Sequence, residues 1–234
     1  MANGTLYGLG VGPGDPELIT LKALRLLRAC PVLAYPAPEN GESLARAIAA
    51  SHLPGGQEEI VIAMPLDSGR GPMEAAYDRA ATAVAAHLDE GRDVAALCEG
   101  DPFFYGSFMY LFGRLAHSHH VEVVPGVTSL VAGPAALGAP LASRDDALLV
   151  IPATLPEDVM RDRLGGVDAA VIIKIGRHLD KLRRVLDGLG LTANAHYIEH
   201  ATMNDERISS LADAPSRAPY FSLVVVHRRG EAWK

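Results

Sequence analysis

Thr5-Leu6-Tyr7-Gly8-Leu9-Gly10-Val11-Gly12-Pro13-Gly14-Asp15-Pro16 is a short apolar run that closes in alternating glycines and a Pro-Gly-Asp-Pro turn. Such a run delivers a strand into tight backbone and then into a helix, because glycine lets main chain approach another surface closely. Asp15 is placed to cap that helix and Pro16 to occupy its first position. Leu18, Leu21, Leu24 and Leu27 supply an apolar stripe reaching Arg28.

The loop departs from the common nucleotide fingerprints. In the three available phases of G-x-G-x-x-G, the last glycine is replaced by Pro13, Asp15 or Glu17. Tyr35-Pro36 stands where a ribose-binding acid would, and no Gly-Lys-Ser/Thr follows. A second anchor repeats the first. The apolar strand 94–98 runs into Glu99-Gly-Asp-Pro-Phe-Phe-Tyr-Gly-Ser107, a second Gly-Asp-Pro. Two such loops at the carboxyl ends of parallel strands line the crevice where open α/β sheets bind ligands, with Phe103, Phe104 and Tyr105 as an apolar wall.

The chain has 234 residues, 49% hydrophobic and 21% charged, enough for one large core or two modest ones. No basic and apolar leader precedes Thr5, and no apolar run approaches the ~20 residues of a membrane span, so a cytoplasmic protein without a membrane partner is expected. Cys30 and Cys98, the only cysteines, exclude a disulfide framework and read as core. A net charge of -7 argues against a nucleic-acid partner.

Strands are expected at 32–34 and 60–62, with a helix capped by Ser43 between them. A loop holding Asp67, Ser68 and Arg70 leads to a helix over about 73–90, stopped by Gly91. Phe108, Leu111, Phe112 and Leu115 mark another helix. His117-Ser-His-His120 lacks the spacing of a metal motif and an acidic partner, and reads as a solvated loop without metal. The second half restarts with a strand at 121–124 and a helix through Ala136. Strands follow at 148–150, 170–173, 195–198 and 221–226, with one helix at about 179–189. Only some of these alternate with helices, so the second sheet should be mixed.

Gly8-Leu-Gly-Val-Gly-Pro-Gly-Asp-Pro16, Glu99-Gly-Asp-Pro-Phe-Phe-Tyr-Gly-Ser107 and Val124-Pro-Gly-Val-Thr-Ser129, in that order, resemble the tetrapyrrole (corrin/porphyrin) methylase family. The resemblance continues through Ile172-Ile-Lys-Ile-Gly-Arg-His178, Glu199-His-Ala-Thr-Met203 and Tyr220-Phe-Ser-Leu223. It implies an α/β fold of two domains with a ligand cleft between them: residues 1–118 with a mostly parallel sheet and residues 119–234 with a mixed one. It also implies a homodimer and S-adenosyl-L-methionine as cofactor. That cofactor would be held mostly by main chain at Gly10, Gly12, Pro13, Gly100, Asp101, Phe104, Thr128, Ser129, Ile175, Ala201 and Thr202.

Within the family, Ala34-Tyr-Pro-Ala37, the stretch 98–109 and His227-Arg-Arg-Gly-Glu-Ala-Trp233 are most similar to the branch that methylates precorrin-2 at carbon 20, giving precorrin-3A. Cobalt-factor II is the alternative substrate. RNA and diphthine methyltransferases of the same superfamily share the glycine loops, though an RNA enzyme should carry basic surface. A nicotinamide-binding or non-catalytic α/β protein is the rival from another class.

A sulfonium methyl is already activated, so a nucleophilic carbon held in line suffices and no triad is required. Tyr105-Gly-Ser-Phe-Met109 indeed breaks the G-x-S-x-G elbow. One proton must then leave the substrate, for which Asp15, Glu99, Tyr105 and His178 are candidate acceptors. Asp101 reads equally as a helix cap and as a ligand contact. The carboxylates of a tetrapyrrole favour guanidinium partners, so Arg70 and Arg177, with His178, are candidate substrate residues; Asp15, on the first glycine loop, is counted in the same set. Arg144 and Lys174 are expected in the same trough.

Overall fold

The computed structural model describes residues 3–65 and 70–233. Its first half alternates strand and helix: β1 (Thr5–Gly10), α1 (Leu21–Ala29), β2 (Val32–Pro38), α2 (Leu44–Ala49), β3 (Glu58–Met64), α3 (Arg70–Asp89), β4 (Val94–Cys98), α4 (Phe108–Leu115) and β5 (His120–Val124). The second half continues with α5 (Ser129–Leu137), β6 (Leu148–Pro152), α6 (Glu157–Gly165), β7 (Ala169–Ile173), α7 (Leu179–Gly188), β8 (Ala195–Glu199), β9 (Arg207–Ser210) and β10 (Ser222–His227).

The first sheet has the order β3-β2-β4-β1-β5, and every pairing in it is parallel. Alternate residues of β4 serve opposite faces. Val94, Ala96 and Cys98 pack with Tyr77, Val84, Leu88, Phe108 and Leu111 of α3 and α4. Ala95 and Leu97 pack with Ala23, Leu27, Ala45 and Ile48 of α1 and α2. A strand covered on both faces is a continuous apolar run, as β4 is. The neighbours β1 and β4 therefore send their following helices to opposite faces, which makes their shared carboxyl edge a topological switch point.

The expected single helix from Pro16 is two pieces. Asp15 Oδ1 accepts from the Glu17 N–H (2.8 Å), capping only a 3-10 turn over Pro16–Leu18. Ile19 is extended, and Thr20 Oγ1 then accepts from the Ala23 N–H to start α1. The break rephases the stripe: Ala23, Leu26 and Leu27 are buried, whereas Leu21 is 85% exposed.

A boundary at 118/119 would separate β5 from its partner. Residues 120–124 lie in parallel register with 5–9 of β1, and the chain divides into compact units Met1–Thr128 and Ser129–Lys234. The 121–124 strand closes the first sheet instead of opening the second. His119, expected in a solvated loop without an acid, is nearly buried with Nε2 3.1 Å from Asp89 Oδ1.

The second unit carries the expected mixed sheet, in the order β6-β7-β10-β8-β9 with only β6 and β7 parallel. Met160 and Leu164 of α6 and Leu182, Val185 and Leu186 of α7 pack with Ile151, Ile172, Tyr197 and Val224. Leu130 and Leu137 of α5 cover the other cluster, Val171, Ile198, Leu223 and Val225. Neither α6 nor β9 is expected from the sequence: α6 buries only two residues of a charged segment, and β9 is a four-residue edge.

The end of β10 and the residues after it tie the sheet down: Arg228 and Arg229 are exposed, while His227 is buried. His227 and Asp146 are each 5% exposed and lie 3.1 Å apart, with Arg229 Nη1 2.9 Å from the same carboxyl. Arg228 donates to the carbonyls of Leu164, Gly165 and Val167, closing the end of α6. No described helix is long and apolar enough to cross a membrane.

Candidate functional site

Three loops leave the carboxyl edge of the first sheet at the switch point, and glycines let them touch. Gly12 and Gly100 exchange hydrogen bonds (Gly100 N–H to Gly12 O, 2.8 Å; the reverse, 3.4 Å), an isolated antiparallel bridge that joins the two loops past the parallel β1/β4 pair. Both have φ in the left-handed region, +83° and +64°. Behind them, a Cβ on Gly126 would lie 2.0 Å from the Gly100 carbonyl oxygen, and one on Gly10 would lie 2.6 Å from the same atom. Gly126, in the Val-Pro-Gly run that follows β5, is a site residue to which the sequence alone assigns no role.

Asp101 serves as a cap. One carboxylate oxygen accepts from the N–H groups of Phe103 (2.9 Å) and Phe104 (3.0 Å), and the other from the N–H of Gly126 (3.0 Å). A single carboxylate thus holds the β4 loop in its turn and ties it to the β5 loop. The main chain of Thr128 passes within ordinary contact of Gly100. Gly10, Gly12, Pro13, Gly100, Asp101 and Thr128 are therefore brought together, with Phe104 following in the same loop.

The aromatic run splits. Phe103 is half exposed and meets Phe112 edge-on at 5.0 Å, while Phe104 and Tyr105 form a T-shaped pair at 5.2 Å. Tyr105 holds a left-handed φ of 56°, a conformation that costs a non-glycine residue about 1–2 kcal/mol. The ring of Phe108 lies over Gly8, where a Cβ would be 2.4 Å from it.

Glu99, between β4 and Gly100, is half-buried. Desolvation pushes its carboxyl pKa up, against the opposing pull of its own backbone N–H and that of Ala45. Asp15 is at the 3-10 turn after the β1 loop.

In the second unit β7 and β8 both run antiparallel to β10, so their carboxyl ends share an edge with that of β6. Three strained residues cluster on the loops there: Lys174 (φ 55°), His200 (φ 50°) and Thr202 (φ 68°). Ile175 is fully buried and Ala201 nearly so, leaving main chain as what they offer a ligand. The Thr202 N–H donates to Glu206 (2.6 Å), and the Tyr197 hydroxyl to the buried Glu199 (2.5 Å). Arg177 and His178 occupy a 3-10 turn directly after Ile175. Burial, then the charges of Lys181 and Arg177, hold the His178 pKa below the ordinary value. Ser129 opens α5.

Arg144 does not share that edge. Its neighbour Asp146, which accepts from the Ser143 N–H, meets His227 at the end of β10, near the start of β6 and at the opposite edge of the sheet. Arg70 begins α3; its side chain, like Asp67 and Ser68, lies outside the described residues. No group of three or more His, Cys, Asp or Glu that could hold a metal occurs among the described residues.

The chain belongs to the tetrapyrrole (corrin/porphyrin) methylases, whose family model matches residues 5–214. It is 43% identical over 232 residues to the precorrin-2 C(20)-methyltransferase of Sinorhizobium sp, covering 95% of each chain. It is 32% identical over 234 residues to the cobalt-precorrin-2 C(20)-methyltransferase of Salmonella typhimurium, covering 98% of each. The cobalamin biosynthesis protein CobIJ of Mycobacterium tuberculosis matches at 42% identity over 96% of this chain; the chain spans about half (46%) of that protein. Among solved structures, the uroporphyrin-III C-methyltransferase of Thermus thermophilus complexed with S-adenyl homocysteine superimposes with a TM-score of 0.68 at 26% identity, covering 96% and 98% of the two chains.

Proposed function

We propose that the chain transfers a methyl group from S-adenosyl-L-methionine to carbon 20 of precorrin-2, giving precorrin-3A in cobalamin biosynthesis. The observation that carries this reading is the glycine-locked pair of loops at the β1/β4 switch point, in a chain 43% identical to a precorrin-2 C(20)-methyltransferase. The lower identity to the cobalt-precorrin-2 enzyme, 32%, favours the metal-free substrate.

The residues present fit the cofactor. Gly10, Gly12 and Gly100 offer main chain with no projecting side chain, next to Pro13, whose ring fixes the turn; Phe104 offers an aromatic face, and Asp101 stiffens the loop without spending charge on the ligand. When bound, the cofactor supplies a sulfonium methyl already activated for displacement, so orientation does most of the work. Thr128, Ser129, Ile175, Ala201 and Thr202 complete the proposed contacts, chiefly through backbone. The exposed Arg177, with Lys174 three residues before it, captures substrate carboxylates; His178, its pKa lowered, acts at neutral pH as an uncharged hydrogen-bonding partner. Asp15 and Arg70 remain in the proposed substrate set. The proposal includes a homodimer in the cytoplasm, which sedimentation and cell fractionation test.

The deciding experiment supplies labelled S-adenosyl-L-methionine with metal-free precorrin-2 and cobalt-factor II in parallel and locates the label by carbon-13 NMR. Label on carbon 20 of precorrin-2 is the expected result. Label on neither tetrapyrrole overturns the substrate and turns attention to RNA and protein acceptors.

A further inference from the structure

Phe103, Tyr105 and Met109 stand in water at 49%, 45% and 40% exposure, three large apolar side chains close together in sequence. The charge-free stretch 102–113 around them holds four of the chain's five phenylalanines. Packing accounts for several of its residues: Phe108 and Leu111 lie in the core with Tyr77 and Val84 of α3, and Phe112 rests against the same cluster. The three outward residues serve no such purpose, yet they are held in place. The Asp101 carboxylate accepts from the Phe103 N–H (2.9 Å), and the Phe103 ring stands edge-on to Phe112 at 5.0 Å and tilted to Phe108 at 6.2 Å. Tyr105 is set by its left-handed φ of 56° and its T-shaped contact with Phe104. Met109 and Phe112, three positions apart on α4, are neighbours on the helix surface. Exposed apolar side chains are ordinary when scattered and mark a contact when contiguous.

The place of this face says what covers it. The loop that carries Phe103 and Tyr105 is the one whose Gly100 meets Gly12, at the carboxyl edge of β1 and β4 where open α/β sheets take their ligands. A tetrapyrrole matches such a surface, because its broad conjugated ring is apolar and its carboxylates are confined to the rim. We propose that Phe103, Tyr105 and Met109 form a preorganised apolar seat for the face of the macrocycle, a specificity surface that rests on the methyl-transfer reading above. The rings are positioned before the substrate arrives, so little ordering entropy opposes binding. Aromatic faces and the polarisable Met sulfur suit a flat conjugated partner. The charge-free stretch leaves the rim carboxylates to guanidinium groups elsewhere.

The test titrates precorrin-2 anaerobically, by its visible absorption, into wild type, Phe103→Ala, Met109→Glu and Met109→Leu saturated with S-adenosylhomocysteine. Steady-state kinetics, S-adenosylhomocysteine affinity, thermal melts and sedimentation accompany it. Because Met109 is exposed, Met109→Glu should melt with wild type. Its Kd and KM for precorrin-2 should rise about tenfold or more, since a carboxylate must then be desolvated against the ring. S-adenosylhomocysteine affinity should stay at the wild-type value, and Met109→Leu, which keeps the apolar bulk, should recover most of the loss. Phe103→Ala should raise the same two constants. Wild-type Kd and KM in both Met109→Glu and Phe103→Ala overturn the seat while leaving methyl transfer standing. A changed sedimentation profile with unchanged precorrin-2 affinity also overturns it, by making the face a contact between copies of the chain. Wild type that binds no precorrin-2 removes the substrate reading and this proposal together.

Discussion

Replacing Gly126 by alanine should unlock the candidate site. The new Cβ would stand 2.0 Å from the Gly100 carbonyl oxygen, 2.7 Å from Gly10 Cα and 2.9 Å from the Gly10 carbonyl carbon. All three are main chain at the ends of paired strands, so no rotamer change relieves the overlap and the loops must part. Overpacking costs about 1–3 kcal/mol, and this site belongs at the upper end because its neighbours are backbone. Parting also stretches the Gly126 N–H to Asp101 bond, whose loss, with a charged acceptor, costs about 1.5–3 kcal/mol. A combined cost of about 4 kcal/mol corresponds to a melting temperature lower by roughly 8–16 °C for a chain of this size. Circular dichroism melts read the stability and isothermal titration with S-adenosylhomocysteine reads the site. Gly113→Ala is the control: it lies on the exposed face of α4 with no atom within 4 Å of the added Cβ, and should gain about 0.5–1 kcal/mol. If Gly126→Ala melts within about 2 °C of wild type and still binds S-adenosylhomocysteine, the three loops are not locked as described.

Asp101→Ala leaves the N–H groups of Phe103, Phe104 and Gly126 without their acceptor and should cost about 2–4 kcal/mol in urea unfolding; Asp101→Asn, which keeps one acceptor oxygen, should cost less. For Asp146, hydrogen bonds from Ser143, His227 and Arg229 hold the carboxyl pKa well below the ordinary range. Its stabilising effect is therefore complete above the unfolded value of about 3.9 and is lost as pH falls below that toward the depressed folded value. Urea midpoints of wild type and Asp146→Asn should differ clearly at pH 7 and converge toward pH 2; a gap that stays constant contradicts the assignment. Leu27→Ala should cost about 2–5 kcal/mol and Leu21→Ala no more than about 0.5 kcal/mol in denaturant titration, reading directly which face of α1 is inside.

The glycine loops were legible because their signal is local: strand, turn and cap fall within a dozen residues and each residue type has its own backbone preference. Leu21 misled because a leucine repeat at helical spacing assumes one continuous helix, and the cap at Thr20 resets the phase. Asp101 was ambiguous because capping and ligand contact ask for the same residue, and only its second oxygen, bonded to an N–H 25 positions away, separates them. The burial of His227 was not legible because its partner Asp146 is 81 positions away.

The sequence by itself determined the family, the parallel character of the first half, the mixed sheet of the second and the glycines of the two Gly-Asp-Pro loops, all carried by runs that local sterics and periodicity make readable. Tertiary structure alone decided that β5 belongs to the first sheet, that Gly126 completes the contact of three loops, and that Arg144 stands across the second sheet from Arg177. The physical reason is that strand partners and buried ion pairs are chosen by which surfaces meet when the chain packs, and that choice depends on residues tens of positions apart that no local pattern joins.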